Sequence, residues 1–157
     1  STALGFASGI LAGLVAVTPA AGVVKPYGAM ILGIIASFIC YMAIQAKNRL
    51  GYDDSLDAFG IHGVGGIVGA IFLTFFIRKS WMAEAAEAAG GTWTIWSQLG
   101  VQALAVLIAI AFAAVMTFLL IFALNKVVKF KSTPADEMAG LDRSYHGERG
   151  YGMLNPS

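Results

Sequence analysis

The chain has 157 residues, of which 58% are apolar and only 12% are charged, and its formal net charge is +1. Soluble domains carry about 25% charged residues. This composition, together with a mean hydropathy of +0.76, therefore excludes a soluble globular protein and predicts a membrane protein. The small net charge and the lack of a basic stripe argue against nucleic acid as a partner.

Long segments with few or no charged residues predict four transmembrane helices, at about residues 2–18, 28–46, 58–77 and 98–125. A helix needs about 20 apolar residues to cross a bilayer. Only helices and closed barrels satisfy their own backbone hydrogen bonds in lipid. Since no segment shows the two-residue alternation of a barrel strand, the fold class is expected to be all-α. The first helix should end near Thr18 and Pro19, because proline and the residue before it disfavour helical continuation.

The distribution of basic residues predicts the orientation in the membrane. Residues 1–131 are expected to form the transmembrane region, and residues 132–157 a C-terminal tail. The connections on the side opposite the tail contain only Lys25, Arg78 and Lys79, whereas more basic residues lie on the tail side. By the positive-inside bias, the C-terminus of a multi-pass plasma-membrane protein is expected in the cytoplasm. The tail side contains Lys47, Arg49, Lys126, Lys129, Lys131, Arg143 and Arg149.

The connections contain further local signals. Tyr27, Trp93 and Trp96 precede helices, where aromatic rings favour the membrane interface. The Ala/Glu-rich part of residues 78–97 is expected to form a short helical turn that ends at Gly90 and Gly91.

The sequence offers no pattern for enzymatic, cofactor or metal chemistry. Cys40 is alone and mid-helix, as expected for a small buried apolar side chain. His62 and His146 are too far apart in sequence to assemble a Ser-His-Asp or metal-ligand set. A calcium loop starting at Asp53 lacks the required Glu at its twelfth position, and the nearby glycines do not complete a dinucleotide fingerprint. We therefore expect no enzyme activity, no cofactor and no metal.

His62 stands near the start of a charge-free segment, residues 58–77. An ionisable side chain within a membrane span is costly and is usually retained for a transport pathway or a proton relay. Gly66 and Gly69 follow at i+4 and i+7, on the same helical face. From the residues alone, His62 either lines a narrow passage or is a core histidine bonded to a neighbouring helix. Ile61, Gly66 and Gly69 are candidates for lining the pore or for helix packing.

Acidic residues precede this segment. Asp57 stands where the charge-free run begins, and it is expected to cap the third helix through its carboxylate. Asp53 and Asp54 are interpreted as solvated loop residues, with pairing to Lys47 or Arg49 as the alternative. Glycines also recur at four-residue spacing, which favours close packing of transmembrane helices; they are Gly5, Gly9 and Gly13 in the first helix and Gly65 and Gly69 in the third.

Three separated blocks of the chain resemble the ammonium transporter family. They are GILAGLVAVTPA at residues 9–20, DDSLDAFGIHGVGGIVG at residues 53–69 and GLDRSYHGE at residues 140–148. Rhesus relatives typically have Asn and a second His after the motif histidine. Gly63 and Gly65 therefore favour the ammonium transporter branch over the Rhesus branch.

This resemblance implies an eleven-helix fold of two inverted five-helix repeats and a last long helix, assembled as a homotrimer with one pore per subunit. The chain would supply the last four helices and the cytoplasmic tail, and a missing N-terminal half would be its partner. His62 would be one of two pore histidines that relay a proton while ammonia crosses the lumen. The expected function is thus transmembrane transport of ammonium or ammonia.

The resemblance also implies a regulatory role for the tail, through packing beneath neighbouring subunits and coupling to PII signalling proteins. The residues concerned are Gly140, Asp142, His146, Gly147 and Glu148. An alternative function is an ammonium-sensing membrane module that signals through this tail. A third possibility is that the four helices only assemble with a separately encoded N-terminal half.

Overall fold

The structure, a computed structural model, describes residues 2–128 and 131–148. Within these ranges the chain is helical and has no strand, apart from an isolated antiparallel bridge between Val24 and Ile77. The prediction of an all-α fold is therefore confirmed. Lys129 and the part of the expected tail from Arg149 onward lie outside the described residues.

Six α-helices follow one another within residues 2–128 and 131–148. They are α1 (Ala3–Val17), α2 (Pro26–Leu50), α3 (Val64–Phe72), α4 (Lys79–Ala88), α5 (Ile95–Val127) and α6 (Pro134–Ala139). Tighter 3₁₀ turns follow α1 at Thr18–Ala20 and α3 at Leu73–Phe75, and wider π-helical turns occupy Phe59–Gly63 and Asp142–His146. The chain divides into two compact units, residues 1–110 and residues 111–157.

Among the residues that the structure describes, three helical segments are long and apolar enough to cross a membrane: Ala3–Ala20, Pro26–Leu50 and Ile95–Val127. The third apolar segment, Phe59–Phe75, is shorter. It combines a π-turn, α3 and a 3₁₀ turn, and it lies at the short end of the range of about 17 to 25 residues that spans a bilayer. The segment starts later and ends earlier than the expected residues 58–77, because Asp57 before it adopts a left-handed backbone and Phe76 after it lies in a turn.

Local residue chemistry explains where the helices begin and end. The hydroxyl of Thr2 accepts a hydrogen bond from the backbone N–H of Gly5 at 3.0 Å and caps α1. Pro19 lies in the 3₁₀ turn that follows α1, and Pro26 occupies the first position of α2, where its missing N–H is harmless. Gly51 ends α2 in the left-handed conformation with φ of 69°.

The first unit is held together by α1, α2 and the composite segment Phe59–Phe75. Buried side chains fill the contacts between these three elements in three clusters along their length, and each cluster combines at least one alanine with a larger aliphatic side chain. The clusters are Ala12, Cys40 and Ile61; Ala16, Ala36 and Val68; and Ala20, Leu32 and Leu73. Small side chains at helix contacts allow close approach of the backbones, which is the usual basis of helix association in lipid.

The glycines of α1 differ in what they contact. A Cβ atom on Gly13 would lie 3.5 Å from the carbonyl oxygen of Gly33 in α2, which marks a close crossing of the two helices. The carbonyl oxygen of Gly9 accepts a hydrogen bond from Ser37 Oγ at 2.8 Å. Gly5 has only the Thr2 hydroxyl nearby. The packing contact is therefore concentrated at Gly13.

Candidate functional site

His62 lies in the π-helical turn Phe59–Gly63, directly before α3. A π-turn is wider than an α-turn, is rare, and occurs frequently at functional sites. The side chain of His62 is exposed on the surface of this unit. Its neighbour Ile61 is 4% exposed and packs against Ala12 and Cys40. The turn therefore directs the imidazole away from the helix contacts while anchoring the segment through Ile61.

Glycines make room for the π-turn. A Cβ atom on Gly63 would lie 2.8 Å from Cδ2 of the Phe59 ring, inside the same turn. A Cβ atom on Gly60 would lie 2.8 Å from Cγ1 of Ile44 in α2. Both distances are shorter than carbon atoms tolerate, so an added Cβ at either position would require the side chain of Phe59 or of Ile44 to shift.

Gly66 and Gly69, which share a helical face with His62 by sequence spacing, occupy different surroundings. Gly69 is buried, and a Cβ atom on it would lie 2.2 Å from the backbone oxygen of Ala16. At Gly66 a Cβ atom would meet nothing within 4 Å. Gly69 is thus a backbone-to-backbone contact with α1, whereas Gly66 borders open space beside the segment that contains His62.

The loop before the π-turn is held by Lys47, near the end of α2. Lys47 Nζ donates to the backbone oxygen of Asp54 at 2.7 Å and lies 2.5 Å from Oδ1 of Asp57. Only 12% of the Lys47 side chain and 30% of the Asp57 side chain are exposed. Charge-assisted hydrogen bonds with limited solvent access are stronger than neutral ones. We call these three residues, Lys47, Asp54 and Asp57, the loop clamp.

The expectation that Asp57 caps the third helical segment is wrong, and Asp54 does so instead. The carboxylate of Asp54 accepts hydrogen bonds from the backbone N–H groups of Ala58 at 2.8 Å and Phe59 at 3.0 Å. The Asp57 carboxylate is engaged with Lys47 and caps nothing. Asp57 has φ of 54°, in the left-handed region that Asp tolerates better than most residues. This backbone conformation turns its side chain toward α2.

The loop clamp could be predicted only in part from the sequence. Pairing of Asp54 with Lys47 was one open alternative, but the ion pair is formed with Asp57. The signal that points to it is a single lysine in the last turn of a long apolar helix, followed within ten residues by several carboxylates. Asp53 accepts only from the hydroxyl of Ser55, at 3.2 Å, and is exposed.

The tail residues lie in the second unit. Thr133 and Asp136 form a reciprocal capping box at the start of α6, and Gly140 ends the helix with φ of 87°. Asp142 and His146 are the first and last residues of the second π-turn. Gly147 follows with φ of 66°, and the Glu148 N–H donates to the Asp142 oxygen at 3.1 Å. The five candidate tail residues are therefore joined in one local turn.

No cluster of three or more His, Cys, Asp or Glu side chains suited to a metal ion occurs within residues 2–128 and 131–148. Cys40 is a buried free thiol whose Sγ lies 3.9 Å from the backbone oxygen of Ile61. It packs beneath the π-turn as a small apolar side chain.

Similarity to known proteins extends over nearly the whole chain. Residues 1–151 match the model of a family described as Ammonium Transporter Family. An ammonium transporter of Bacillus subtilis is 39% identical over 153 residues, which cover 96% of this chain and 37% of the relative. An ammonium transporter of Aquifex aeolicus is 40% identical over 157 residues, covering 97% of this chain and 35% of the relative. The chain therefore spans about a third of the length of these relatives.

Solved structures similar to this fold include two of Mep2. The crystal structure of Saccharomyces cerevisiae Mep2 aligns with a TM-score of 0.67 and 34% identity, over 80% of this chain and 29% of that one. The crystal structure of Candida albicans Mep2 aligns with a TM-score of 0.65 and 28% identity, over 96% of this chain and 35% of that one. In both cases the described helices correspond to part of a longer chain.

Proposed function

Because the chain belongs to the Ammonium Transporter Family, we propose that it forms part of a multi-pass protein that transports ammonium or ammonia across the plasma membrane. The observation that carries this proposal is the family match over residues 1–151. That match includes the His62 segment, the loop clamp and the described tail. It is supported by the three helical segments long and apolar enough to cross a membrane.

His62 is proposed to act in the conduction path. An ammonium ion loses its hydration shell when it enters an apolar passage, and the free-energy cost of an unpaired charge there is large. Loss of a proton removes that cost, and neutral ammonia then crosses. Histidine suits the accompanying proton transfer because its two ring nitrogens are distinct and its unperturbed pKa is near neutral. The exposed imidazole, in an otherwise uncharged segment, supports this role.

The neighbouring residues are proposed to divide between lining and packing. The open space at Gly66 suits a surface that ammonia passes. The burial of Ile61 and the backbone contact of Gly69 with Ala16 suit packing, which fixes the segment against α1 and α2. The loop clamp is proposed to hold the π-turn in the orientation that presents His62.

We infer that polypeptide outside these 157 residues forms the rest of the pore, including a second histidine facing His62. The support is that the chain covers about a third of its relatives and that the His62 surface is uncovered. The expected homotrimer, the cytoplasmic C-terminus and the binding of a PII signalling protein by the tail are part of the same proposal. The local turn from Gly140 to Glu148 would be the recognised element.

The test is ammonium-evoked current on a solid-supported membrane. The chain would be reconstituted alone and together with an N-terminal half from the same family, with folding checked in both samples. We expect current only from the combination, because one wall of a pore does not enclose a path. Ammonium binding without current from the combination would contradict transport and favour the sensing alternative.

A further inference from the structure

The segment Phe59–Phe75 contains five glycines, and four of them meet a neighbouring atom at the point where a side chain would begin. A Cβ atom built on these four would lie 2.2 to 3.3 Å from α1, α2 or the Phe59 ring. They are Gly60, Gly63, Gly65 and Gly69. The exception is Gly66, where no atom of the described residues beyond its own helical turn lies within 4 Å of such a Cβ. Close packing therefore explains the other glycines but not Gly66.

The backbone of Gly66 gives no reason for a glycine either. Gly66 lies inside α3 and has the right-handed helical conformation that any residue adopts. A glycine inside a helix is destabilising relative to alanine, because it loses more backbone freedom on folding and has no side chain to pack. Within the described unit this cost has no structural compensation. What the glycine provides is free space beside the helix.

This free space lies about one helical turn from the imidazole of His62. Residues four apart are neighbours on one face of a helix, and four residues rise by roughly 6 Å. The side chain of His62 is exposed and Gly66 is half-buried. A small solute in contact with the imidazole would therefore also contact the bare backbone at Gly66, where no side chain of this segment narrows its way.

We propose that Gly66 sets the size limit of the conduction path beside His62, so that the path admits ammonia and also its methylated homologue. This specificity role rests on the proposed function, because it requires His62 to line the path. Methylamine is larger than ammonia by one methyl group, the same group that Gly66→Ala adds to the wall. One extra methylene in an apolar pocket changes selectivity by roughly 10- to 200-fold. Gly66→Ala should therefore exclude methylamine more strongly than ammonia.

Currents evoked separately by ammonium and by methylammonium, in proteoliposomes of the assembled transporter, test this role. The variants are Gly66→Ala and Gly66→Ser, which add similar volumes but differ in polarity. Gly9→Ala is the matched control. Gly9 is also helical and half-buried and has open space at its Cβ, but it lines a groove between α1 and α2. A melting curve and a size-exclusion profile of each variant establish that it is folded and assembled.

In both Gly66 variants we expect the ratio of methylammonium current to ammonium current to fall about tenfold or more. Gly9→Ala should leave this ratio as it is in the wild type. An unchanged ratio in folded Gly66 variants would overturn the proposal, even if both currents decreased together. An equal loss of both is the result expected of a residue that only packs against the remaining polypeptide.

The wild type distinguishes this specificity role from the proposed function. A wild type that conducts ammonium but not methylammonium would overturn the role of Gly66 and leave ammonium transport standing, because the path would already exclude one extra methyl group. A folded and assembled wild type without any ammonium current would refute the proposed function, and the role of Gly66 with it.

Discussion

Lys47 and Asp57 form an ion pair of 2.5 Å that ties the end of α2 to the loop before the π-turn. The same Nζ also donates to the backbone oxygen of Asp54. The backbone oxygen of Asp57 in turn accepts from the N–H of Ile61, the residue before His62, at 2.9 Å. Asp57 therefore links Lys47 of α2 to the backbone of Ile61, next to the proposed pore histidine.

Replacing Lys47 should loosen this loop. Lys47→Met keeps the apolar stem but removes both hydrogen bonds, which leaves the Asp57 carboxylate without its cation. We expect a lower melting temperature in detergent and faster hydrogen exchange at the amides of Ala58 and Phe59. Arg49→Met is the matched control, since Arg49 is exposed on the same helix. Equal exchange rates in the two variants would show that Lys47 does not order the loop.

Because Asp54 caps the π-turn, its replacement should destabilise the protein more than replacement of the neighbouring Asp53. Asp54→Ala leaves two backbone N–H groups at the start of the π-turn without an acceptor, and loss of such a cap costs about 1 kcal/mol. Asp53→Ala removes only an exposed bond to Ser55, so its effect should be within about 0.5 kcal/mol. The free energy of unfolding in detergent measures both. If Asp53→Ala lowered the free energy of unfolding as much as Asp54→Ala does, the assignment of the cap to Asp54 would be wrong.

The contrast between Gly69 and Gly66 predicts opposite responses to one added methyl group. Gly69→Ala places a Cβ against the backbone oxygen of Ala16 and should force α1 and α3 apart, at a cost of about 1 to 3 kcal/mol. Gly66→Ala adds a methyl group to open space, and alanine favours a helix by roughly 1 kcal/mol over glycine. Thermal unfolding of the two variants in detergent measures the difference. A stable Gly69→Ala protein would disprove the close helix contact.

The tail turn should depend on Gly140. Its φ of 87° and ψ of 129° lie in a region that other residues rarely adopt. Gly140→Ala is therefore expected to strain the turn by on the order of 1 to 3 kcal/mol and to unfold it locally. Limited proteolysis between α6 and the second π-turn should be faster, while the melting temperature of the transmembrane region stays unchanged. Ala139→Gly is the control, and protection equal to wild type in Gly140→Ala would refute the strain.

The lengths of the charge-free segments and the lack of a two-residue alternation were sufficient to predict the all-α class and the approximate position of the long helices. They could not predict the exact residues at which the helices begin and end, because capping residues and their hydrogen bonds determine those positions. Expected ends at residues 46 and 98 become Leu50 and Ile95 in the structure, where Gly51 closes α2 and Thr94 precedes α5. The expected short helical turn before Gly90 is the ten-residue α4.

The site was less predictable than the fold. His62 could be singled out from its place in an uncharged segment and from the family resemblance. The π-turn could not be predicted, and its Gly60 packs against Ile44 of α2, a residue distant in sequence. The i+4 and i+7 spacing predicted that Gly66 and Gly69 share a helical face with His62. In the structure α1 packs against Gly69 and leaves Gly66 beside open space. Asp54 caps the segment, and not Asp57 as expected, because Asp57 adopts a left-handed backbone and pairs with Lys47. Residue spacing in the sequence does not predict this ion pair.

The proposed place of His62 in the conduction path is best tested by ammonium-evoked current across proteoliposomes of the assembled transporter. Wild type would be compared with His62→Ala and with His146→Ala, which removes the other histidine of the chain. We expect His62→Ala to abolish the current with a normal amount of folded protein, while His146→Ala conducts. Undiminished current from folded His62→Ala would exclude His62 from the conduction path.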